Sequence, residues 1–295
     1  MAPADPSPGV DRTPGDAGSR PIGLDERSGM LDPHNVVRFA AHWIDPHPSV
    51  ATVVDRYWHV RWALPSDEVI VQRIIDLPAV TLSIEDGAVP APLVVTGVQS
   101  RAWLRRIHGT GSVFALRLRP AGLAVLGDLR VDDIADATVP LERMLDPALR
   151  DLLAAVASAT TPGGRARAAD RLVSERLAIR PATTEGLLAN AIFDELTARV
   201  RSQTGPDLAA LFGVSARTVQ RTLKTTVGRG PKWISRRIRL QEAARALTTT
   251  SDRDLAALAV DLGYTDQAHL INDFRGVAGV SPGAYVRSLR ALGGA

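Results

Sequence analysis

The chain has 295 residues, with 35 Lys or Arg, 32 Asp or Glu and no cysteine. The lack of cysteine excludes disulfides, thiolate zinc fingers and cysteine-dependent DNA repair proteins. No apolar stretch approaches the roughly 20 residues of a membrane span, and no signal-peptide core follows the start. We therefore expect a cytoplasmic protein with no membrane partner, and its length predicts two domains.

The first two thirds of the chain change from strand-like to helical patterns. Residues 1–30 are rich in Pro, Gly, Asp and Ser, with little to bury, so we predict a disordered tail. Short apolar runs separated by turn residues then predict strands at 51–64, 69–78, 79–87, 92–100 and 111–120. Helical spacing follows at 121–128, 147–160, 163–178 and 185–202. We predict a β-rich domain with a helical connector over residues 31–203.

Aromatic side chains are scarce in this chain, and several of them fall in the β-rich region. A pocket for a small-molecule effector, with polar groups that suit an anion, could use Tyr57, Trp58, Trp62, Trp103, His59, Arg117 and Arg119. Alternatively, Trp58 and Trp103 fill the core of a small β domain. No metal site is expected from His34, His42, His47 and His59, because no cysteine completes a soft ligand set.

One short pattern occurs twice, fifty residues apart, beginning at Leu208 and at Leu258. Each copy has an Ala four residues before a Gly, which is typical of a helix-turn-helix because Ala allows close packing and Gly allows a positive φ. Ser215 and Asp266 then predict helix N-caps. The same landmarks follow in the same order in both copies: Leu223, Gly228, Pro231 and Trp233, then Phe274, Gly279, Pro282 and Tyr285.

These landmarks predict an all-α module over residues 204–295. It comprises helix-turn-helix units at about 206–227 and 255–276, joined by one continuous helix from Pro231 to Thr248. The module holds 13 basic and 7 acidic residues, a net charge of +6, and so leaves about −3 on the rest of the chain. A basic module beside an acidic domain favours a polyanionic partner.

Residues 204–290 resemble the AraC/XylS family of transcription regulators. The resemblance rests on LAALFGVSARTVQRTLKTTVGRGPKWI and LAVDLGYTDQAHLINDFRGVAGVSPGAYVR. It implies two helix-turn-helix subdomains on one long helix that read successive major-groove segments on one face of the DNA. The amino-terminal part resembles the ligand-sensing domain of one branch of that family, through YWHVRW, the stretch from Gly111 to Gly122 and DDIADATVPL. Ala121 stands where that branch usually has a second Gly.

Candidate DNA contacts lie on the second helix of each unit. In the first unit they are Arg217, Thr218, Gln220 and Arg221 at base edges, with Lys224 nearer phosphate. In the second unit the resemblance implies Gln267, Ala268 and His269, together with Asn272 and Arg275. Asn272 stands where the family commonly has Arg, beside acidic Asp273. Either the second unit anchors weakly, or Asn272 reads adenine directly.

Other basic residues of the module have two interpretations. Arg236, Arg237 and Arg239 of the joining helix either follow the DNA backbone or keep that helix solvated, while Arg287 is expected to be structural. We expect residues 204–295 to fold alone and to bind DNA as a monomer. No phosphate-binding loop, nucleophile elbow or paired metal motif is present in the sequence, so we expect no enzyme and no cofactor.

The sequence therefore predicts an α+β regulator with a β-rich amino-terminal domain and an all-α carboxy-terminal module. Its expected partners are double-stranded promoter DNA, a small-molecule effector, a second copy through the amino-terminal domain or connector helices, and RNA polymerase if it activates. The alternative is a regulator whose amino-terminal domain is only a platform for dimerisation or protein contact. A free apolar face near 187–200 would favour that alternative, whereas a closed apolar pocket with a polar floor would favour sensing.

Overall fold

The computed structural model describes residues 19–22, 30–144, 146–201, 207–249 and 254–293. The predicted disordered tail lies outside the described residues, apart from 19–22 and Met30. A β-rich amino-terminal domain is followed by a helical module, so the predicted α+β class is confirmed.

The amino-terminal domain contains a seven-stranded antiparallel sheet in the order β1-β2-β3-β8-β5-β6-β9, and β4 pairs with β7 in a separate two-stranded sheet. The strands are β1 Ser19–Pro21, β2 Phe39–Ile44, β3 Val54–Ala63, β4 Val69–Ile74, β5 Thr81–Gly87, β6 Leu93–Thr96, β7 Trp103–His108, β8 Thr110–Leu118 and β9 Thr138–Pro140. The predicted strands at 51–64, 69–78, 79–87, 92–100 and 111–120 contain β3, β4, β5, β6 and β8, so these five predictions are confirmed.

The central strands are covered on both faces, because successive side chains point to opposite sides of a sheet. One face packs Phe114 and Leu116 of β8 against three helices, α1 Gly122–Leu126, α2 Pro147–Ala157 and α3 Pro162–Ile179. The other face packs Val113 and Ala115 against Ile70 and Ile107 of the β4–β7 pair. The alternation thus gives each strand two different environments, and it decides which side chains meet.

Side-chain caps begin the connector helices. Asp146 accepts a hydrogen bond from the backbone N–H of Leu149 at the start of α2. Thr161 and Thr183 cap α3 and α4, the latter spanning Thr184–Ala198. Each cap satisfies a backbone donor that has no partner within its helix. The sequence predicted separate helical segments at 147–160, 163–178 and 185–202, and each of the three helices begins at one of these caps.

The carboxy-terminal module continues with six helices: α5 Leu208–Leu211, α6 Ala216–Val227, α7 Pro231–Thr249, α8 Leu255–Asp261, α9 Gln267–Ala278 and α10 Pro282–Gly293. α5 and α6 form the first helix-turn-helix unit, while α8 and α9 form the second. α7 is the predicted joining helix and ends one residue later than expected. Ile234 and Ile238 of α7 enter the core of the first unit, whereas Leu240 and Leu247 enter that of the second.

α4 belongs structurally to both halves of the chain. Its buried Ala189, Ile192 and Leu196 lie in the hydrophobic core of the first helix-turn-helix unit, with Val219 and Leu223. On its other side, the amide of Asn190 accepts a hydrogen bond from the N–H of residue 121 at 3.0 Å and donates one to the carbonyl of residue 52 at 2.9 Å. The predicted boundary at 203/204 thus cuts through one continuous core, and the core of the module begins within α4.

A second contact joins the amino-terminal domain to the second unit. The hydroxyl of Tyr285 donates to the carbonyl of Met30 at 2.7 Å, and Leu31 and Ile75 are buried in the core of the second unit. The backbone N–H of Ala102 also donates to a carbonyl of α9 at 2.9 Å. The amino-terminal domain therefore contacts both units of the module.

Candidate nucleic-acid interface and interdomain cavity

The two turns have the same backbone geometry. Gly213 and Gly263 adopt φ values of +61° and +72°, in the left-handed region that Gly enters without strain. The residue after each Gly donates its N–H to the carbonyl of the Ala of the repeated pattern, from Val214 to Ala209 and from residue 264 to residue 259, both at 2.9 Å. The Ala and Gly of the repeated pattern are thus the two ends of one hydrogen-bonded turn.

The second helix of each unit is also built alike. Ser215 accepts from the N–H of Thr218 at 3.0 Å, and Asp266 accepts from that of His269 at 2.8 Å. Each helix has 12 residues and ends at a Gly with positive φ, Gly228 in one and residue 279 in the other. One face of each helix is buried, by Val219, Leu223 and Val227 in α6 and by Leu270, Phe274 and Ala278 in α9. The opposite faces are presented outward.

The first outward face carries three basic side chains. Arg217 is exposed, and Arg221 is 67% exposed with its Nε 3.7 Å from a carboxylate oxygen of Glu185 in α4. Lys224 Nζ lies 3.3 Å from Oδ1 of Asp132, in the amino-terminal domain, and donates to the carbonyl of residue 228 at 3.0 Å. Arg217 and Arg221 are therefore exposed on the outward face, and both Arg221 and Lys224 have a carboxylate nearby.

The two polar uncharged candidates of α6 are partly engaged within the module. The Oγ1 of Thr218 lies 2.9 Å from the Oγ of Ser215, so Thr218 takes part in the cap. The side chain of Gln220 is exposed but lies over the loop before α7, where a Cβ on Gly230 would come within 2.5 Å of its Nε2. Gly at 230 thus leaves space for Gln220.

The second outward face is less charged. All five candidate residues on α9 are exposed: Gln267, Ala268, His269, Asn272 and Arg275. Arg275 donates to Oδ1 of Asn272 at 3.1 Å, and the His269 ring packs edge-on against Tyr264 with centroids 5.2 Å apart. Arg275 is the basic side chain of this helix.

Asp273 is engaged within the module by an arginine of the joining helix. Its carboxylate accepts from Nε and Nη2 of Arg236 at 2.7 and 2.8 Å, and its side chain is only 14% exposed. Arg239 donates to the carbonyls of Leu262 and Gly263 and lies over the Tyr264 ring. Arg236 and Arg239 thus join α7 to the second unit, and the side chain of Arg236 is still 43% exposed.

A cavity of about 190 Å³ lies between the β-rich domain and α7. Three of the predicted aromatic residues and one predicted arginine line it, namely Trp58, Trp62, Trp103 and Arg117. Trp43, Arg237 and Gln241 also line it and were not predicted. The register explains Trp43, because it lies directly opposite Trp58 and shares its face of the sheet. Trp58 and Trp103 are half-buried at this cavity, and Trp58 also packs against the core that contains Trp62 and Val113.

The other three predicted effector residues lie outside this cavity. Tyr57 stacks on Phe114 in the opposite core and donates to Asp170 at 2.8 Å; burial, followed by the nearby Asp170, raises the pKa of Tyr57. His59 shares the face of Tyr57 because strand side chains alternate. Arg119 pairs with Asp194 of α4 at 2.6 Å, beside a second cavity. These placements correct the prediction of a single pocket for all seven residues.

Two arginines of the cavity have carboxylate partners. Arg105 donates two hydrogen bonds of 2.7 Å to buried Glu85. Arg117 donates to Asp55 at 2.7 Å and lies 3.9 Å from Asp76. Burial raises the pKa of the Asp76 carboxyl, although Arg117 and a hydrogen bond from the N–H of residue 77 oppose that shift.

No helix among the described residues is both long and apolar enough to cross a membrane. The same residues contain no group of three or more His, Cys, Asp or Glu arranged to hold a metal ion.

A family model described as a helix-turn-helix domain matches residues 208–288. An AraC-like transcription regulator of Streptomyces lividans is 39% identical over 85 residues, and one of Streptomyces antibioticus is 38% identical over 84. This module is therefore similar to part of two AraC-like transcription regulators. These matches cover 29% and 28% of this chain, and they span about 28% and 27% of the curated relatives. A model described as a domain of unknown function (DUF6597) matches residues 42–140, within the amino-terminal domain.

Solved structures of AraC family proteins resemble this chain more distantly. ToxT from Vibrio cholerae gives a TM-score of 0.44 at 8% identity, over 79% of this chain and 98% of ToxT. A probable AraC family regulator from Rhodopseudomonas palustris gives a TM-score of 0.31 at 24% identity, and this match covers 33% of this chain and 93% of that regulator. A ToxT structure bound to (E)-4-(8-methylnaphthalen-1-yl)but-3-enoic acid gives a TM-score of 0.43 at 9% identity. This match covers 79% of this chain and 99% of that ToxT chain. With TM-scores below 0.5, these similarities specify no ligand for this chain.

Proposed function

We propose that this protein is a transcription regulator that binds promoter DNA through the outward faces of α6 and α9. The family match and the net charge of +6 on residues 204–295 support a DNA ligand. Arg217 and Arg221 stand on the exposed amino-terminal half of α6, where arginine pairs with guanine in the major groove. Counted from the caps Ser215 and Asp266, the equivalent positions of α9 carry Ala268 and Asn272, and Gln267 and His269 lie beside them in its first turn.

The amino-terminal domain, in this proposal, senses a small-molecule effector. The observation that carries it is the cavity, whose walls come from both the β-rich domain and α7. Because α7 contributes to the cores of both helix-turn-helix units, a ligand in the cavity contacts the helix that holds them together. Occupancy of the cavity can therefore alter how the module is held.

The platform alternative has less support. A free apolar face near 187–200 would favour it, but Ala189, Ile192 and Leu196 of that segment are buried in the core of the first unit. The cavity combines apolar walls with polar groups, which is the feature that favours sensing. Self-association and a contact with RNA polymerase stay predictions of the family resemblance.

The DNA-binding proposal can be tested with the full chain and a library of random duplex DNA. Selection should enrich one site with two parts whose major grooves lie about one helical turn, ~34 Å, apart. The double variant Arg217→Ala/Arg221→Ala should abolish enrichment, whereas Arg171→Ala, an exposed arginine on α3, should leave it unchanged. Absence of any enriched sequence with the wild type would refute the proposal.

A further inference from the structure

The β4–β7 pair presents an apolar stripe on the face that points away from the larger sheet. Alternate side chains of a strand share a face, and on β4 the outward ones include Val69 and Val71, which are 48% and 38% exposed. On β7 the outward Leu104 is 58% exposed. Val71 lies opposite residue 106, so Leu104 is its diagonal neighbour across the pair. Exposed apolar side chains that adjoin one another in this way indicate an interaction surface.

β7 also has an unpaired backbone edge. In an antiparallel pair, every second residue directs its N–H and C=O away from the partner strand. Within the described part of the chain, the backbone of residues 103–107 forms hydrogen bonds only with β4. The other edge of β4 is closed, because Leu31 donates its N–H to the carbonyl of Arg73 at 2.9 Å and the Asn35 amide donates to that of Val71 at 2.8 Å. The pair can therefore gain a third strand beside β7.

The length of this edge distinguishes it from the edges of the larger sheet. The edge strands β1 and β9 have three residues each, whereas β7 has six. Very short edge strands hinder the addition of another strand, because they offer few backbone groups to bond with. The six residues of β7 instead offer a row of donors and acceptors that is long enough for a bound peptide.

The surface around the stripe is basic. Arg106 on β7 and Arg101, two residues before β7, are both exposed, and neither has an ion pair among the described residues. The charge of Arg73 is already matched by Asp32, 2.7 Å away. None of the six outward residues of the pair is acidic; they are Val69, Val71, Arg73, Leu104, Arg106 and His108. Charge complementarity therefore favours a partner that brings carboxylates.

The same charges argue against a second copy of this chain as the added strand. Two identical edge strands that pair antiparallel are related by a twofold axis, so each contributes the same outward residues. In the registers that pair most of β7, Arg106 then lies opposite or diagonal to Arg106 of the other copy. Like charges at these cross-strand positions are destabilising. A strand of different sequence, with acidic residues at these positions, avoids that repulsion.

We propose that β7 binds an extended segment of a partner protein as a third strand of this sheet, and that this segment carries acidic and apolar side chains. Its backbone pairs with the unbonded N–H and C=O groups of residues 103–107. On the outward face, a carboxylate lies beside Arg106 and an apolar side chain beside Leu104. The inward side chains are apolar, because the neighbouring inward residues of β7 include Trp103 and Ile107. This surface is separate from α6 and α9, so the inference does not rest on the functions proposed above.

Three labelled peptides test this inference by fluorescence anisotropy on the full chain. The acidic peptide has seven residues, with valine at every odd position and glutamate, glutamate and leucine at the even ones. The second peptide has lysine in place of glutamate, and the third is the acidic peptide with every amide N-methylated. We expect the acidic peptide to bind at least about tenfold more tightly than the lysine peptide, because its charges are opposite to those of the surface. N-methylation should abolish binding, since it removes the donors that bond to β7.

Three results would overturn the inference. They are equal affinity for the acidic and lysine peptides, unchanged affinity after N-methylation, and no binding of the acidic peptide, which is the outcome if another segment of this chain covers β7. Sedimentation velocity of the full chain, with and without the acidic peptide, tests for a second copy. A dimer that the peptide dissociates would show that another copy occupies β7, and that result would also overturn the inference.

Variants locate the binding surface on β7. Arg106→Glu should make the lysine peptide the tighter ligand, while Leu104→Ser should weaken both peptides about threefold. Arg61→Glu is the matched control, because Arg61 is an exposed arginine on β3, which is paired on both sides. It should leave the preference for the acidic peptide unchanged. Circular dichroism reports whether each variant folds; if Arg106→Glu does not, Arg106→Gln should abolish the preference. An acidic preference that persists in the folded Arg106 variant would contradict the inference.

Discussion

The two helix-turn-helix units share one scaffold and differ in how their charges are used. Both have the same Ala-to-Gly turn and a capped helix of 12 residues that ends at a Gly with positive φ. On α6, Arg221 and Lys224 lie beside carboxylates of α4 and of the amino-terminal domain. On α9, Asp273 instead binds Arg236 of the joining helix. Local geometry thus repeats, while among the described residues α6 has an ion pair with the amino-terminal domain and Asp273 of α9 pairs with the joining helix.

The largest expected effect concerns the start of the first unit. A fragment of residues 204–295 lacks α4 and so lacks Ala189, Ile192 and Leu196 of the first unit's core, which argues against our sequence-based expectation that it folds alone. Truncating a single buried Ile or Leu to Ala costs about 2–5 kcal/mol, so we expect the first unit of this fragment to be unfolded, whereas residues 182–295 should fold. Urea titration and backbone NMR of both fragments measure this difference.

The full chain offers a matched pair for the same test. Ile192 is fully buried and Leu187 is 49% exposed on the same helix. Ile192→Ala should lower the free energy of unfolding by about 2–5 kcal/mol, and Leu187→Ala by under about 1 kcal/mol. Equal effects of these two variants, or a well-folded 204–295 fragment, would show that α4 is dispensable for the first unit.

The next effect concerns base reading by α6. Arg221→Ala should weaken binding to the selected site by about 1–3 kcal/mol, because the exposed guanidinium can form a bidentate contact with guanine. The Nε of Arg221 lies 3.7 Å from a carboxylate oxygen of Glu185, and the Arg221 side chain is 67% exposed. The free energy of unfolding should therefore barely change. Fluorescence anisotropy on the selected site and on random DNA measures both affinities. An equal loss of affinity on both DNAs would show that Arg221 contacts phosphate and no base.

A smaller effect is expected on the second unit. Asn272 is exposed and Arg275 is the basic side chain of α9, so Asn272→Arg should add one phosphate contact and tighten binding to all sequences. The dependence of log K on log salt should steepen by about one unit. Titrations at several salt concentrations measure that slope. Loss of affinity that is confined to one base under α9 would instead show that Asn272 reads adenine.

The smallest effect tests the link between the first recognition helix and the amino-terminal domain. Asp132→Asn removes the carboxylate 3.3 Å from Lys224 and should tighten DNA binding by about 0.5–1 kcal/mol, since exposed ion pairs are weak. Asp133→Asn, an exposed neighbour, makes the same change in net charge and serves as the control. Identical affinities of the two variants would show a general charge effect and no specific competition for Lys224.

Features set by near neighbours in the chain could be read from the sequence. Gly213 and Gly263 take the positive φ that the pattern predicted, and Ser215 and Asp266 cap helices within three residues. Successive side chains of a strand point to opposite faces, so the alternation along β3 could also have predicted that Tyr57 and Trp58 lie on different faces of the sheet. These properties depend on backbone sterics and short-range hydrogen bonds, which a local pattern encodes.

Only the tertiary structure decided which distant groups meet. Asp273 pairs with Arg236, which is 37 residues away in the chain, and Arg237 bonds to a carbonyl 161 residues away. Neither contact has a local signal, because a charged residue on a helix looks the same whether it faces solvent, DNA or another domain. The packing of α4 and α7 against the β-rich domain buried Arg237 and placed it at the cavity. The sequence by itself therefore determined the two DNA-binding units, while long-range packing determined how they are joined to the cavity.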